Sequence, residues 1–262
     1  MDDNYPTYVN RVARMTLPDA YRSQAQKIQA SPKFYKAHPD AAYEAKPFPG
    51  YSIITPPWGD DTENSDFYQQ LQTLQKTVDH QLPPDLFVPL PPDSFHMTLA
   101  DLIWDGAFRH ANENPEFQKQ LRDRISQSFT LCQPQTTRAL QWQAIGLVLM
   151  PRALGVALAP KDEYSYDQVF KLRRAVYQNS DLIALGIEQQ YHFTAHVTLG
   201  YFGDAAANLE ALDISTALDS LNHQWLDAAP SAVLSVYRAE LRKFDDMTRY
   251  YRESDWPVLT FA

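Results

Sequence analysis

The chain is short of several things, and each shortage removes a class of explanation. It has one cysteine, Cys132, in 262 residues, so no intrachain disulfide can form. A reducing compartment, most simply the cytoplasm, fits that count. Cys132 has no base near it in sequence to make it a nucleophile. Glycine is scarce, 8 against 19 prolines, and neither GxGxxG nor GxxxxGK[ST] occurs. If a phosphate binds, side chains must hold much of it. No apolar run reaches the ~18 residues of a membrane span, and the opening MDDNYPTYVN is too acidic and polar for a signal peptide. Cations are outnumbered, 23 Lys+Arg against 32 Asp+Glu, for a net charge of −9. Counterion release therefore offers little affinity for long nucleic acid, although a local basic pocket for a small phosphorylated ligand remains open. HExxH is absent and no metal site is expected.

What is present is a repeated order of elements. Residues 1–45 read as an N-terminal extension packed on the core, with a short helix starting near Pro18 or Asp19. From residue 46 to 262 the patterns sharpen. YSIITPP predicts a strand. Phe67, Leu71, Leu74 and Val78 share one face of a helix. A strand centred on His96 follows. Asn114 and Pro115 suit the N-cap and first position of a second helix, and ALQWQAIGLVLMP reads as a buried strand. The order then recurs: strand ALGVALAP, a helix with Tyr166, Val169, Leu172 and Val176 on one face, strand YHFTAHVTLGYF, helix NLEALDISTALDSLNHQWLD, and a final strand AVLSVYRAELRKF. Two halves, roughly 46–150 and 151–250, are expected to form similar α+β lobes facing each other across a cleft.

Within that repeat the tetrapeptide HMTL, His96–Leu99, is answered 100 residues later by HVTL, His196–Leu199. Composition alone predicts roughly 0.4 His-x-Thr triplets; three occur, at His96, His192 and His196. In a strand, residues i and i+2 share a face. Ser94, His96 and Thr98 therefore point one way, opposite Phe95, Met97 and Leu99. His192, Thr194, His196 and Thr198 likewise oppose Phe193, Ala195, Val197 and Leu199. One such strand is an ordinary water-facing sheet. Two in matching halves can turn their polar faces onto one cleft. Imidazoles with pKa near 6.5 can then divide base and acid roles near pH 7. Thr hydroxyls two residues along can hold phosphoryl oxygens while imidazolium offsets growing negative charge. A phosphodiester suits that pair.

Paired H-h-T-h motifs (h apolar), one in each half of a two-lobed α+β chain, resemble the two-histidine phosphoesterase superfamily, over roughly Phe48–Phe244. The resemblance implies two pseudo-symmetric lobes, each a small antiparallel sheet with helices on its outer face, and His strands lining a central groove. It carries His96, Thr98, His196 and Thr198 over as catalytic residues. It implies cofactor-free, metal-independent hydrolysis of a 2′,3′-cyclic nucleotide or a cyclic phosphate at an RNA 3′ end, with His96 as acid and His196 as base; the chain is expected to act as a monomer. The chain departs from compact members in placing its first motif after some 95 residues. The rival readings are a nucleotide- or protein-binding module that kept the groove without turnover, and a 2′,5′-phosphodiesterase.

Around the motifs, Tyr51, Trp58, Tyr201, Arg152 and Arg238 are candidates for substrate contact, and Arg242 is a third possible phosphate clamp. Trp104 and Phe202 could stack on a base. His192 stands about 13 Å from His196 at strand rise, too far to share a metal in a straight strand, and is expected at the rim or surface. His38, His80, His110 and His223 have no motif around them.

Overall fold

The computed structural model describes residues 2–134, 136–204, 211–228 and 232–262; of residues 211–213 only the backbone is described. In chain order the elements are helices α1 (Tyr5–Met15) and α2 (Pro18–Ala25), strands β1 (Phe34–Lys36), β2 (Tyr43–Ala45) and β3 (Gly50–Ile54), helix α3 (Ser65–Gln81), and strands β4 (Phe87–Pro89) and β5 (Thr98–Trp104). Helices α4 (Asp105–Ala111) and α5 (Phe117–Leu131), strands β6 (Leu140–Met150) and β7 (Ala153–Pro160), and helices α6 (Glu163–Tyr177) and α7 (Ser180–Ile183) follow. Strand β8 (His196–Phe202), helix α8 (Ala211–Ala228) and strands β9 (Val233–Val236), β10 (Arg238–Phe244), β11 (Tyr250–Tyr251) and β12 (Val258–Thr260) complete the chain. The start of the last expected helix, 208–210, lies outside the described residues. Helix α5 begins two residues later than the sequence predicts, because Asn114 caps a turn, its Oδ1 accepting from Glu116 N at 3.0 Å.

The fold is α+β with antiparallel sheets. One sheet runs β11-β10-β3-β5 with β12 also on β10; the other runs β4-β8-β7-β6-β9; β1 and β2 form a separate ribbon. The sheets are not built from the two halves of the chain. Strand β6, of the first half, pairs with β7 and β9 in the second sheet, and β10, near the end, pairs with β3 in the first. The single final strand expected over 232–244 is in fact two. It breaks at Tyr237, where the chain leaves β6 for β3 and the carbonyl accepts from Phe261 N at 2.7 Å. Both hydrophobic patterns are satisfied by either sheet, so strand periodicity could not have assigned the partners.

Helices α1 and α2 each bury one face: Tyr8, Val12, Tyr21 and Ala25 are at most 5% exposed. Burying two tyrosine rings removes about 300–500 Å² from water, worth up to roughly 8–12 kcal/mol at ~25 cal/mol/Å². Their hydroxyls are tied down too. Tyr8 Oη donates to Leu158 O at 3.1 Å and accepts from Ala195 N at 3.0 Å; Tyr21 Oη donates to Leu147 O at 2.8 Å. Tyr8 also packs with Trp142, Tyr166 and Phe193. No helix among the described residues is long and apolar enough to cross a membrane.

Candidate active site

The two tetrapeptides meet. Met97 and Val197 form an antiparallel bridge between the chain entering β5 and the start of β8. By that register His96 lies opposite Thr198, and Thr98 opposite His196, with all four side chains on one face. Met97, Leu99, Val197 and Leu199 fill the other side and are fully buried. Met97 is fixed further by Thr55, whose N donates to its carbonyl at 3.0 Å and whose Oγ1 accepts from its N at 2.9 Å. The histidines themselves sit at strand entrances. His96 precedes β5, and β8 starts at His196, so residues 191–195 are not strand as the sequence pattern suggests.

Each ring is held in the same way. His96 Nδ1 lies 2.7 Å from Ser94 O, and His196 Nδ1 lies 2.7 Å from Thr194 O. A carbonyl only accepts, so each Nδ1 carries the proton and each neutral ring turns an unprotonated Nε2 toward the cavity. Thr98 Oγ1 is 3.3 Å from His96 Nε2. Tyr250 packs edge-on to the His96 ring, with centroids 4.2 Å apart.

Past each motif the strand departs from simple alternation at the same residue. Leu99 is bulged from the β5 ladder, between the pairs Ala100–Ile53 and Thr98–Ile54. Leu199 is bulged from β8, between Gly200–Leu154 and Thr198–Gly155. One extra residue reverses the side-chain parity. Asp101 thereby joins Thr98 on the cavity face, a second bulge at Leu102 adds Trp104, and Tyr201 joins Thr198. The motifs thus differ five residues beyond each His: Asp101 in one, Tyr201 in the other.

The cavity around them has a volume of about 900 Å³. Of the sequence candidates, His96, Thr98, His196, Thr198, Tyr201 and Arg152 line it, as do Trp104 and His192. The others lie elsewhere. Tyr51 is fully buried against Phe108 and Trp256, its hydroxyl donating to Gln118 Oε1 at 2.8 Å. Trp58 stacks on Tyr68. Arg238 pairs with Glu240 at 2.7 Å, and the buried Arg242 pairs with Glu240 and Asp60. Phe202 is in the core. The parity of β3 and β10 gave no means of telling which side of the sheet would meet the cavity. Sequence reasoning missed Asp101, Lys33, Arg173 and Tyr250, all of which line it. A bulge brings Asp101 there and the path of the N-terminal segment brings Lys33, while Arg173 comes from α6 and Tyr250 from β11.

Burial holds the His96 pKa down to about 4, with neighbouring His196 and Arg242 adding to the effect and the Ser94 carbonyl opposing it. Burial also lowers His196, but the Thr194 carbonyl and the Asp101 carboxylate pull it back up. Both imidazoles are therefore neutral at pH 7. Burial raises Tyr201 and Tyr250, so both phenols remain protonated donors. Among the described residues no group of three or more His, Cys, Asp or Glu is placed to hold a metal ion.

The segment leading to His196 is pinned by the start of the chain. Asp2 Oδ1 accepts from Phe193 N at 2.8 Å and Gln189 Nε2 at 2.7 Å, and its carboxylate pairs with the buried Arg173 at 2.5 Å. Arg173 in turn donates to Leu99 O at 2.7 Å and Tyr191 O at 3.3 Å. Arg11 donates to Thr194 Oγ1 at 2.9 Å and Phe193 O at 2.5 Å.

No known family model matches the chain, and no curated protein matches it either. Solved structures do match. A conserved protein of unknown function from Agrobacterium tumefaciens shares 16% identity over 84% of this chain and 88% of its own, with a TM-score of 0.53. E. coli LigT bound to 3′-AMP shares 16% over 80% and 98%, TM-score 0.42. Kluyveromyces marxianus Usb1 with uridine monophosphate shares 11% over 82% and 98%, TM-score 0.41. A further match is a phosphoesterase, with 15% identity over 82% of this chain and 99% of its own, TM-score 0.45. At these identities the likeness is one of fold, and the chemistry of this chain rests on its own cavity.

Proposed function

We propose that the chain is a phosphoesterase that hydrolyses a 2′,3′-cyclic nucleotide or the cyclic phosphate of an RNA end by two-histidine acid–base catalysis. The observation that carries this is the pair of imidazoles, each locked through Nδ1 to a carbonyl two residues earlier and both lining one cavity with Thr98 and Thr198. A binding module needs donors such as Thr98 and Thr198 but has no use for two oriented proton-transfer groups.

The residues that flank the histidines separate their roles. Asp101 lies within electrostatic reach of His196 and favours its imidazolium. His96 is held neutral by burial, with His196 and the Arg242 guanidinium nearby adding to the effect. An entering phosphodiester adds negative charge, which draws a proton onto His196. In the reaction His96 Nε2 takes a proton from water as the water oxygen bonds to phosphorus. The bond to the ribose oxygen breaks, and His196 Nε2–H protonates that oxygen. Exchange with solvent resets both rings. Thr98, Thr198 and the phenol of Tyr201 donate to the phosphoryl oxygens. This order reverses the assignment that the family resemblance implies.

The test is turnover of 2′,3′-cyclic nucleotides with EDTA present, compared among wild type, His96→Ala and His196→Ala. Activity survives EDTA, and each variant loses at least ~100-fold. A phosphodiester whose leaving group needs no proton restores His196→Ala but not His96→Ala. Wild-type rates in both histidine variants would refute the mechanism, and rescue of His96→Ala instead would restore the opposite roles.

A further inference from the structure

The wall of the cavity beyond Tyr201 comes from the N-terminal segment. Ser31 N donates to Phe202 O at 2.7 Å and Gln29 N to Pro151 O at 2.8 Å, which lays residues 29–33 along the β6–β7 turn and the end of β8. Gln29, Ser31 and Lys33 line the cavity there, with Arg152 from the turn. The Lys33 ammonium has unusual company for a cation. It lies 4.4 Å from the Phe48 ring centre and 5.1 Å from that of Tyr201, 3.2 Å from Met247 Sδ and 3.4 Å from Tyr201 Oη. No carboxylate is within 4.0 Å of it among the described residues; the Asp101 carboxylate, in the same cavity, favours its charge and Arg152 opposes it. Burial brings its pKa down to about 8. Arg152 is exposed, and its guanidinium makes a long contact, 3.4 Å, to Gln29 Oε1.

An ammonium held among rings and a thioether costs stability unless something anionic completes its surroundings. Here it opens on the cavity that holds the histidine pair. We propose that Lys33, with Arg152 beside it, is a second anion subsite that reads a phosphate other than the one attacked. The substrate is then a nucleoside 2′,3′-cyclic phosphate that also bears a phosphate on its 5′ oxygen, whether as a free nucleotide or as the terminal residue of an RNA. This rests on the phosphoesterase reading for the identity of the scissile group, while the subsite itself is a matter of equilibrium binding.

The two are therefore measured separately. Isothermal titration compares adenosine 3′,5′-bisphosphate with 3′-AMP on wild type, Lys33→Gln and Lys33→Arg. Wild type binds the bisphosphate at least ~10-fold more tightly, as one charge-assisted contact allows. Lys33→Gln brings the ratio to within about 2-fold, and Lys33→Arg retains most of it. Thermal melts check the fold: Lys33→Gln melts no lower than wild type, since it removes a poorly partnered charge. In parallel, kcat/KM is measured for adenosine 2′,3′-cyclic phosphate, its 5′-phosphorylated form and a dinucleotide ending in a cyclic phosphate. A preference for the free 5′-phosphate points to a nucleotide substrate, and one for the dinucleotide to an RNA end. Equal binding of the two probes by wild type, or a ratio unchanged in a folded Lys33→Gln, overturns the subsite. Absence of turnover together with a Lys33-dependent binding ratio overturns the phosphoesterase reading and leaves the subsite standing.

Discussion

Replacing Asp2 by alanine should damage the protein far more than a change at the second residue of a chain normally does. The Asp2 carboxylate and the Arg173 guanidinium are 5% and 6% exposed, and the carboxylate also holds Gln189 Nε2 and Phe193 N. Removing it leaves a buried guanidinium without its counter-charge, for which about 3–5 kcal/mol is expected. At about 2–4 °C per kcal/mol for a domain of this size, the melting temperature drops by roughly 6–20 °C. The double variant Asp2→Ala/Arg173→Met removes both charges and regains much of that loss, because the cost lies in the orphaned cation rather than in the value of the pair. Turnover does not recover with it: Arg173 also holds Leu99 O and Tyr191 O, and the segment that presents Thr194 O to His196 stays unpinned. Burial raises the Asp2 pKa, but Arg173, Phe193 N and Gln189 outweigh it and bring the group below its ordinary value. The clamp is therefore intact at neutral pH and is lost only as pH falls below the usual aspartate range. Scanning calorimetry with parallel kinetics tests this. A shift under about 2 °C for Asp2→Ala, or a double variant less stable than the single one, would refute the reasoning.

Two further outcomes follow from the site. With His96 near 4 in the folded protein and 6.5 in the unfolded chain, the unfolded state binds the extra proton between those values. Stability therefore declines as pH falls from about 6.5 to 4, by up to roughly 3 kcal/mol from this ring, and His96→Gln flattens that part of a urea-midpoint-against-pH curve. A Cβ on Gly155 would sit 2.6 Å from Val197 O, beside the Leu199 bulge. Gly155→Ala should cost about 1–3 kcal/mol by forcing β7 from β8, and lower kcat by displacing Tyr201, as melts and kinetics will show.

The extension shows where a one-dimensional reading stops. A helix at Pro18 was legible from a proline followed by helix formers, whereas α1 was not: YPTYVNRVARM has two tyrosines and two valines spread among polar residues. Its stability comes from burying Val12 and from packing Tyr8 against Trp142, Tyr166 and Phe193, partners more than a hundred residues away. Lys33 stands in a polar stretch with no motif around it. Its environment is made by Phe48, Tyr201 and Met247, which no local window contains.

The sequence by itself determined the four groups at the centre, His96, Thr98, His196 and Thr198, and that each pair shares a face. That information is local, carried by a two-residue repeat over three positions. Tertiary structure decided the rest. The Met97–Val197 bridge set each histidine opposite the other motif's threonine. The bulges at Leu99 and Leu199 brought Asp101 and Tyr201 to the cavity by reversing parity. The crossing at Tyr237 exchanged strands between the halves, and the first 33 residues closed one end with a lysine and pinned the approach to His196. Strand partners, bulges and buried ion pairs depend on contacts between residues far apart in the chain. Hydrophobic alternation is satisfied equally by several such pairings, so only the folded chain could select among them.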